Sequence, residues 1–330
     1  MKDLLTPPSP DIPLQAFQDA LAVVRRVFPP TPLVAAPRLS RRLGAEIHLK
    51  LDCLTPIRAF KLRGALNKLA RLPEKVGVIT ASTGNHGLAV AHAARLTGHP
   101  ATICVPEGAN PQKVDAIRAE GARIVETGKD YFEAFEACLE RARREGLVLV
   151  HAYDDPDIIA GQGTVALEVL EAGRFDAILC GVGGGGLVSG VSTVASQVAP
   201  GTRVFGVQPE GANSLARSLA EGRLVTLARV QTIADGLAAR QPGQWPFALA
   251  RRHVEAVLEV SDEELRTAVA TLLADERIVA EPSGVAGLAA IARYGPDRFG
   301  RRLCVIISGA NISDHVLEDI LRRARRLLSD

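Results

Sequence analysis

Apolar and polar residues follow two alternating patterns along this chain. Short apolar runs predict buried strands, and they occupy residues 46–51, 76–80, 101–105, 123–125, 147–151, 177–180, 203–207 and 303–307. Stretches with helical periodicity lie between most of these runs, for example 88–96, 111–120 and 131–144. Repeats of strand, helix and strand imply right-handed crossovers and parallel sheets, which collect ligands beyond the carboxyl ends of their strands. The pattern therefore predicts an α/β fold.

The composition is typical of an ordinary soluble globular protein, and it favours a small ligand. The chain has 330 residues, more than one hydrophobic core usually organises, so we expect two domains or one domain with an insertion. Its formal net charge is +2 and no long basic block occurs, which argues against nucleic-acid and membrane partners. Aromatic residues make up only 4% of the chain, too few for a base-stacking surface.

The cysteines and the N-terminus indicate a cytoplasmic protein. The five cysteines form an odd set without a Cys-x-x-Cys pair, and three of them lie in apolar runs, as expected for buried, reduced thiols. Residues 1–13 are rich in proline and lack an apolar signal segment, so we expect a loose tail before the first helix. No apolar stretch is long enough to predict a membrane span.

Lys61 is the candidate nucleophilic amine. The chain has only seven lysines, and none follows Lys129. Lys61 lies in Ala-Phe-Lys-Leu-Arg-Gly-Ala, residues 59–65, where apolar neighbours would desolvate the amine and lower its pKa, as Schiff-base chemistry requires. A lysine in such a context is more often a surface residue at a helix start, so this hypothesis depends on the other motifs.

Residues 82–87 (Ser-Thr-Gly-Asn-His-Gly) lie between a predicted strand and a predicted helix. The backbone amides at such a helix start attract anions. A substrate carboxylate fits there, with Ser82, Thr83, Asn85 and His86 as its partners. The alternative is an ordinary helix cap with a glycine turn. His86 has no second histidine at a metal-binding spacing.

Residues 181–186 (Gly-Val-Gly-Gly-Gly-Gly) follow another predicted strand and open a helix. Bare amides can crowd around a phosphate in such a loop. The loop also matches Gly-x-Gly-x-x-Gly, which leaves an NAD-dependent dehydrogenase as an alternative. The segment Ser-Gly-Ala-Asn, residues 308–311, follows the last predicted strand. Ser308 could contact a ring nitrogen, although the segment alone predicts only a turn.

Together, in this order, these segments resemble the fold type II pyridoxal-phosphate enzymes, and within them the threonine/serine dehydratase and serine racemase family. The resemblance covers about nine-tenths of the chain. Besides the four segments above it includes Thr-Pro-Leu at 31–33, Ile-Ala-Gly-Gln-Gly-Thr at 159–164, Ile-Ala-Asp-Gly at 233–236 and Glu-Pro-Ser-Gly at 281–284. It also argues against the dehydrogenase, which gives no role to Lys61 or to the Ser308 turn.

The resemblance implies a pyridoxal 5'-phosphate cofactor between two α/β domains. Residues 1–71 and 154–330 would form the large cofactor-binding domain, and residues 72–153 a smaller inserted one. A homo-oligomer, either a dimer or a tetramer, is also implied. The implied roles are these: Lys61 forms the Schiff base, Phe60 lies against the ring, Asn85 binds the ring hydroxyl, Gly183, Gly184, Gly185 and Gly186 hold the phosphate, Ser308 faces the ring nitrogen, and residues 82–86 hold the substrate carboxylate.

The implied reaction is elimination of water from L-threonine or L-serine, with release of a 2-oxo acid and ammonia. Lys61 would act as the general base. A serine hydroxyl at the ring nitrogen leaves a weak electron sink, which favours elimination over a long-lived carbanion.

Three departures from the family pattern qualify this prediction. Pro-Ile-Arg-Ala at 56–59 replaces Pro-Thr-Gly-Ser; because this adds a charge at Arg58, another 3-hydroxy amino acid, phenylserine or 3-hydroxyaspartate, is the alternative substrate. Thr83 replaces a serine, which disfavours the further alternative, a serine racemase. Gln208 and Ser214 replace acidic metal ligands, so we predict no metal there.

Overall fold

The computed structural model describes residues 11–329, so most of the proline-rich N-terminal stretch lies outside the described residues. Within them the α-helices are α1 Leu14–Arg25, α2 Pro37–Leu43, α3 Lys61–Leu69, α4 Asn85–Thr97, α5 Pro111–Ala119, α6 Tyr131–Glu145, α7 Pro156–Ala172, α8 Gly186–Val198, α9 Ser214–Glu221, α10 Gln244–His253, α11 Asp262–Glu276, α12 Ala286–Tyr294 and α13 Asp314–Ser329. None of these helices is both long and apolar enough to cross a membrane.

The strands form two sheets. They are β1 Leu33–Ala35, β2 Glu46–Lys50, β3 Val78–Ala81, β4 Ala101–Val105, β5 Arg123–Glu126, β6 Val148–Leu149, β7 Ala177–Gly181, β8 Arg203–Pro209, β9 Ala256–Val260 and β10 Arg302–Ile306. The six-stranded sheet has the order β1-β2-β10-β7-β8-β9, and the four-stranded sheet the order β5-β4-β3-β6. All neighbours are parallel except β1 and β2.

The predicted α/β fold with parallel-rich sheets is confirmed. Each of the eight predicted apolar runs contains a strand, although the run at 147–151 supplies only the two residues of β6. The sequence analysis missed β1 and β9. β1 has three residues and follows several prolines, whereas β9 reads Ala-Val-Leu-Glu-Val, a pattern that could have been recognised as a strand.

Alternating side chains of the six-stranded sheet belong to two separate hydrophobic clusters. Leu303 and Val305 of β10 pack in a cluster with residues of α2, α11, α12 and α13. Cys304 and Ile306 of the same strand pack in a cluster with residues of α1, α7, α8 and α10. The period of two along a strand therefore places helices on both faces of this sheet.

Helix α3, which begins at Lys61, is held by close packing against α7. A Cβ atom built on Gly161 of α7 would lie 2.5 Å from the Gly64 Cα of α3, so both helices need glycine at this crossing. Buried charges also join the two helices. Arg63 of α3 donates to Glu168 of α7 at 2.8 Å and to Asp52 at 2.7 Å. Because Arg63 lies two residues after Lys61, this ion-pair network fixes the start of α3.

Candidate active site

The Lys61 side chain is partly buried at the first turn of α3. Its Nζ donates a hydrogen bond to the Ala152 carbonyl at 2.7 Å and lies 5.2 Å from the centre of the Phe60 ring. Burial lowers the pKa of Lys61 to about 8, because desolvation disfavours the ammonium form. The amine is therefore partly neutral near physiological pH, as a nucleophile or general base must be.

Backbone pairing brings Phe60 and Lys61 to the turn at Ser308. The Phe60 amide donates to the Ser308 carbonyl at 2.9 Å, and Ala59 forms an isolated bridge with Gly309. Ser308 follows the carboxyl end of β10 and is buried. The candidate lysine and the candidate ring-nitrogen partner, far apart in sequence, are thus neighbours in the fold.

The loop at residues 82–87 connects β3 to α4, as predicted. Asn85 is the first residue of α4, and its side chain contacts two residues distant in sequence, Glu281 and Asn311. Its Nδ2 donates to Glu281 Oε1 at 2.8 Å, and its Oδ1 accepts from Asn311 Nδ2 at 2.7 Å. The Ser82 hydroxyl accepts from the Gly84 amide at 3.1 Å, and Thr83 lies half-buried beside it.

His86 points into the protein. Its Nε2 is 2.9 Å from the Val150 carbonyl, so Nε2 carries the proton and donates. Its Nδ1 is buried without a partner among the described residues. Burial, together with the charge of Lys61, lowers the pKa of His86 to about 3. The ring is therefore neutral and cannot offer a positive charge to a substrate carboxylate.

The glycine loop joins β7 to α8, whose N-terminus lacks a side-chain cap. The first-turn amides of α8 therefore remain for an anion. Gly185 has a φ of +99°, a conformation that favours glycine. A Cβ on Gly183 would lie 2.9 Å from the Gly236 carbonyl, and one on Gly184 would lie 2.4 Å from the Tyr153 ring. Side chains at these positions would fill the loop.

A segment that the sequence analysis gave no function, residues 150–153, joins three of the predicted motifs. Val150 accepts from His86, and Ala152 accepts from Lys61. Tyr153 covers Gly184 and Gly186 of the glycine loop. This segment follows β6 at the carboxyl edge of the four-stranded sheet, and only the predicted parallel order of the strands could have signalled its role.

Glu281 is the second residue that the sequence analysis left without a role. It was noted as part of the motif at 281–284, but not as a member of the site. Its carboxylate is buried and contacts Asn85. Burial raises the pKa of Glu281 to about 7. A raised pKa beside a candidate ligand-binding side chain is typical of functional sites.

Arg58 does not extend the site. It has a φ of 59°, and its exposed side chain lines a groove of about 460 Å³ together with Leu54, Arg277 and Val279. Lys61, Asn85 and Ser308 are not among the residues that line this groove.

At the position where Gln208 replaces an acidic metal ligand of the family, the structure has hydrogen bonds between protein groups. Gln208 Oε1 accepts from the backbone amides of Leu215 and Ala216, at 3.0 and 2.9 Å. Its Nε2 lies 3.5 Å from the Gly183 carbonyl. In the part of the chain that the structure describes, no group of three or more histidine, cysteine or acidic side chains is arranged to hold a metal. The absence of a metal requirement stays a prediction.

These residues fit pyridoxal phosphate. A lysine of lowered pKa, an uncapped helix behind a glycine loop and the unpartnered N–H of the Asn85 amide meet the needs of its aldehyde, phosphate and ring hydroxyl. A family model described as "Pyridoxal-phosphate dependent enzyme" matches residues 24–309. The chain belongs to this family. The match includes the glycine loop at 181–186, and it decides against the dehydrogenase alternative.

Similar proteins place the chain within the family. It is 38% identical over 316 residues to an L-threonine ammonia-lyase of Thermotoga maritima, covering 94% of this chain and 79% of the relative. It is 37% identical to an L-threo-3-hydroxyaspartate ammonia-lyase of Saccharomyces cerevisiae, covering 89% and 91%. The solved structure of a processed threonine deaminase from Solanum lycopersicum matches with a TM-score of 0.88 at 35% identity, covering 94% and 93%. These similarities confirm fold type II.

Proposed function

We propose that this enzyme is an ammonia-lyase that eliminates water from L-threonine or L-serine and releases a 2-oxo acid and ammonia. The observation that carries the proposal is the Lys61 amine, whose pKa is lowered to about 8 and which lies between the glycine loop and the turn at Ser308. The similarity to proteins named L-threonine ammonia-lyase supports the choice of substrate.

Each predicted residue has a part in this reaction. The bound cofactor supplies the electron sink that makes the α-proton of the amino acid acidic. Lys61 accepts that proton at Nζ, and the resulting ammonium returns a proton to the departing β-hydroxyl, so that water leaves. Ser82, Thr83 and the backbone amide of Asn85 bind the substrate carboxylate at the start of α4, while the free side-chain N–H of Asn85 binds the ring hydroxyl of the cofactor. His86 orients the loop through its bond to Val150.

The cofactor contacts follow the same arrangement. Gly183, Gly184, Gly185 and Gly186 bind the phosphate with the first amides of α8. Phe60 lies against the ring, and Ser308 offers its hydroxyl to the ring nitrogen. A hydroxyl does not stabilise a proton on that nitrogen as a carboxylate does, which favours rapid loss of the β-substituent.

The domain division at residues 72 and 153 is also part of the proposal. The four-stranded sheet takes all its strands from residues 78–149, whereas the six-stranded sheet takes strands from both sides of that range. This supports a small domain, 72–153, inserted into a large one, 1–71 and 154–330. We further propose that the enzyme acts in the cytoplasm, since all five cysteines are buried and unpaired, and that it forms a homo-oligomer.

The alternative substrates are included in the experimental test of this proposal. Arg58 suggested phenylserine or 3-hydroxyaspartate, but its side chain lines a groove that does not include Lys61. Because the relative from Saccharomyces cerevisiae is named an L-threo-3-hydroxyaspartate ammonia-lyase, 3-hydroxyaspartate is tested as a substrate as well. Thr83 continues to disfavour a serine racemase, because its methyl group restricts the hydroxyl that would serve the opposite face of the substrate.

The test is ammonia release from a panel of 3-hydroxy amino acids: threonine, serine, threo-3-hydroxyaspartate and phenylserine. We expect threonine and serine to have the highest kcat/KM, and Lys61→Arg to abolish release, because arginine keeps the charge but cannot form a Schiff base. Lys129→Arg, at an exposed lysine, is the matched control. Borohydride should attach the cofactor to the peptide that contains Lys61. Attachment to another lysine would refute the assignment.

A further inference from the structure

Glu281 lies where three segments of the site meet. Its Oε1 accepts from Asn85 Nδ2 at 2.8 Å, and its backbone amide donates to the Gly309 carbonyl at 3.1 Å. Only 8% of the residue is exposed. The proposed reaction uses neither its charge nor its proton, so the reason for a buried acid at this position has to be sought in its contacts.

The two partners of Asn85 fix the orientation of its amide group. Asn311 Nδ2 donates to Asn85 Oδ1 at 2.7 Å and to the Ile57 carbonyl at 3.0 Å. An ionised Glu281 can only accept. The amide oxygen of Asn85 is therefore held towards Asn311 and its nitrogen towards Glu281. One N–H of Asn85 is used by Glu281, and the second remains for a ligand.

The surroundings leave room for the carboxylate and for little else. A Cβ on Gly309 would lie 2.4 Å from Glu281 Oε1, and one on Gly236 would lie 3.7 Å from it. The charged groups that act on Glu281 are Lys113, which lowers its pKa, and Asp235, which raises it. These two form an ion pair with each other at 2.9 Å. Burial outweighs both and raises the pKa of Glu281 to about 7.

We propose that Glu281 is a positioning residue that holds the Asn85 amide with one N–H free for the ring hydroxyl of the bound cofactor, and that protonation of Glu281 loosens this contact. A protonated carboxyl is a weaker acceptor, and its O–H can donate to Oδ1 of Asn85. The reversed amide then competes with the orientation that binds the cofactor. The inference rests on the proposed role of Asn85.

The test compares binding of two ligands to the apoenzyme: pyridoxal phosphate and an analogue that lacks the ring hydroxyl. The difference between parent and variant in the ratio of the two affinities isolates the hydroxyl contact, because the ionisation of each free ligand is the same whichever protein it binds. Between pH 8 and pH 6 we expect this ratio to fall in the parent several-fold, up to about tenfold, more than in the Glu281 variants, the size of one ordinary hydrogen bond.

Three variants separate positioning from a structural role. Glu281→Ala and Glu281→Gln should both lower the ratio at pH 8 and remove the additional fall in the ratio between pH 8 and pH 6. Glu255→Gln changes the same charge at an exposed position at the opposite end of the sheet and should behave as the parent. If Glu281→Ala does not fold, the isosteric Glu281→Gln, whose fold is checked by circular dichroism, still decides.

The outcomes are distinct. If a Glu281 variant weakens both ligands equally, or leaves the ratio and its pH dependence as in the parent, the positioning role is wrong. If the parent itself does not bind pyridoxal phosphate, the proposed function fails instead. A ratio that changes in the Glu281 variants alone supports the inference even when ammonia release is not measured.

Discussion

Burial alone, with no neighbouring charge, lowers the pKa of Lys61 to about 8. The neutral amine fraction should therefore rise as the pH passes through about 8 and level off above it. We expect the rate of cofactor capture by the apoenzyme to increase roughly fivefold from pH 7 to pH 8 and less than twofold from pH 8 to pH 9. Stopped-flow absorbance measures this rate. A roughly tenfold rise in each pH unit from pH 7 to pH 9 would indicate an ordinary lysine.

Arg58 adopts a left-handed backbone conformation, with φ of 59°, at the position where the family pattern has glycine. A residue with a Cβ atom is about 1–2 kcal/mol less stable in this conformation. Glycine avoids this strain, but it loses more conformational entropy on folding, which offsets part of the gain. We expect Arg58→Gly to raise the free energy of unfolding by about 1 kcal/mol, measured by urea denaturation, with unchanged ammonia release. Arg223→Gly, at an exposed arginine of negative φ, should not stabilise.

The sequence indicated the candidate site residues that belong to local motifs and missed those whose contacts depend on the fold. Lys61 and the glycine loop could be found because their neighbours in sequence define their chemistry. Tyr153 and Glu281 could not, because each acquires its role from a residue far away in the chain: Gly184 for Tyr153, and Asn85 for Glu281.

At the scale of elements, Gln208 connects the glycine loop to the start of α9. Its amide oxygen accepts two backbone amides of α9, and its amide nitrogen faces the Gly183 carbonyl. A carboxylate at this position could accept from the two amides but has no hydrogen to donate to the carbonyl, whereas a neutral amide offers both an acceptor and a donor. The loop proposed to bind the phosphate is thus held by a side chain at the end of the neighbouring strand, β8.

We expect EDTA to leave ammonia release unchanged in the parent enzyme. In Gln208→Glu, a second carboxylate oxygen would face the Gly183 carbonyl, and this repulsion should weaken cofactor binding roughly tenfold. Magnesium or calcium should restore part of the loss, since hard cations bind such oxygens. Fluorescence titration of the apoenzyme with cofactor measures both effects. Inhibition of the parent by EDTA, reversed by magnesium, would contradict the role given to Gln208.

The elements themselves were largely predictable, and the exceptions have a physical reason. Long apolar runs such as that of β10 predict a central parallel strand on their own. β1 is only three residues long and pairs antiparallel with β2 at the sheet edge, so it exists because β2 offers a partner. Local sequence patterns could not predict the packing of α3 against α7 either. Gly64 and Gly161 allow the two helices to approach closely only because they face each other in the fold.

At the scale of the molecule, two buried groups give the apoenzyme opposite responses to acid. The folded-state pKa of His86 is lowered to about 3, so the unfolded chain binds its proton first, and stability is lost as the pH falls below about 6.5. The folded-state pKa of Glu281 is raised to about 7, so the folded chain binds its proton first, and stability is gained as the pH falls from about 7 to 4.5.

Single variants should separate these contributions. In Glu281→Gln the free energy of unfolding should fall more steeply than in the parent between pH 6.5 and 4.5, by up to about 1.4 kcal/mol per pH unit. In His86→Gln the slope in the same window should shift in the opposite direction. Urea denaturation of the apoproteins at several pH values measures both slopes. Parallel slopes in parent and variants would show that these groups are not buried as described.

The central place of β10 determines when the active site can form during synthesis. Arg302 of β10 lies opposite Glu46 of β2, and about 250 residues separate them, roughly 10–50 s of ribosomal elongation. Until β10 enters the sheet, the Phe60 amide lacks its Ser308 partner, and we expect Lys61 to keep the high pKa of a solvated lysine. Arrested nascent chains that end before residue 302 should therefore not capture the cofactor, whereas chains that extend well beyond it should. In the growing chain, Lys61 is therefore expected to remain an unreactive ammonium until β10, the strand that completes its surroundings, has been translated.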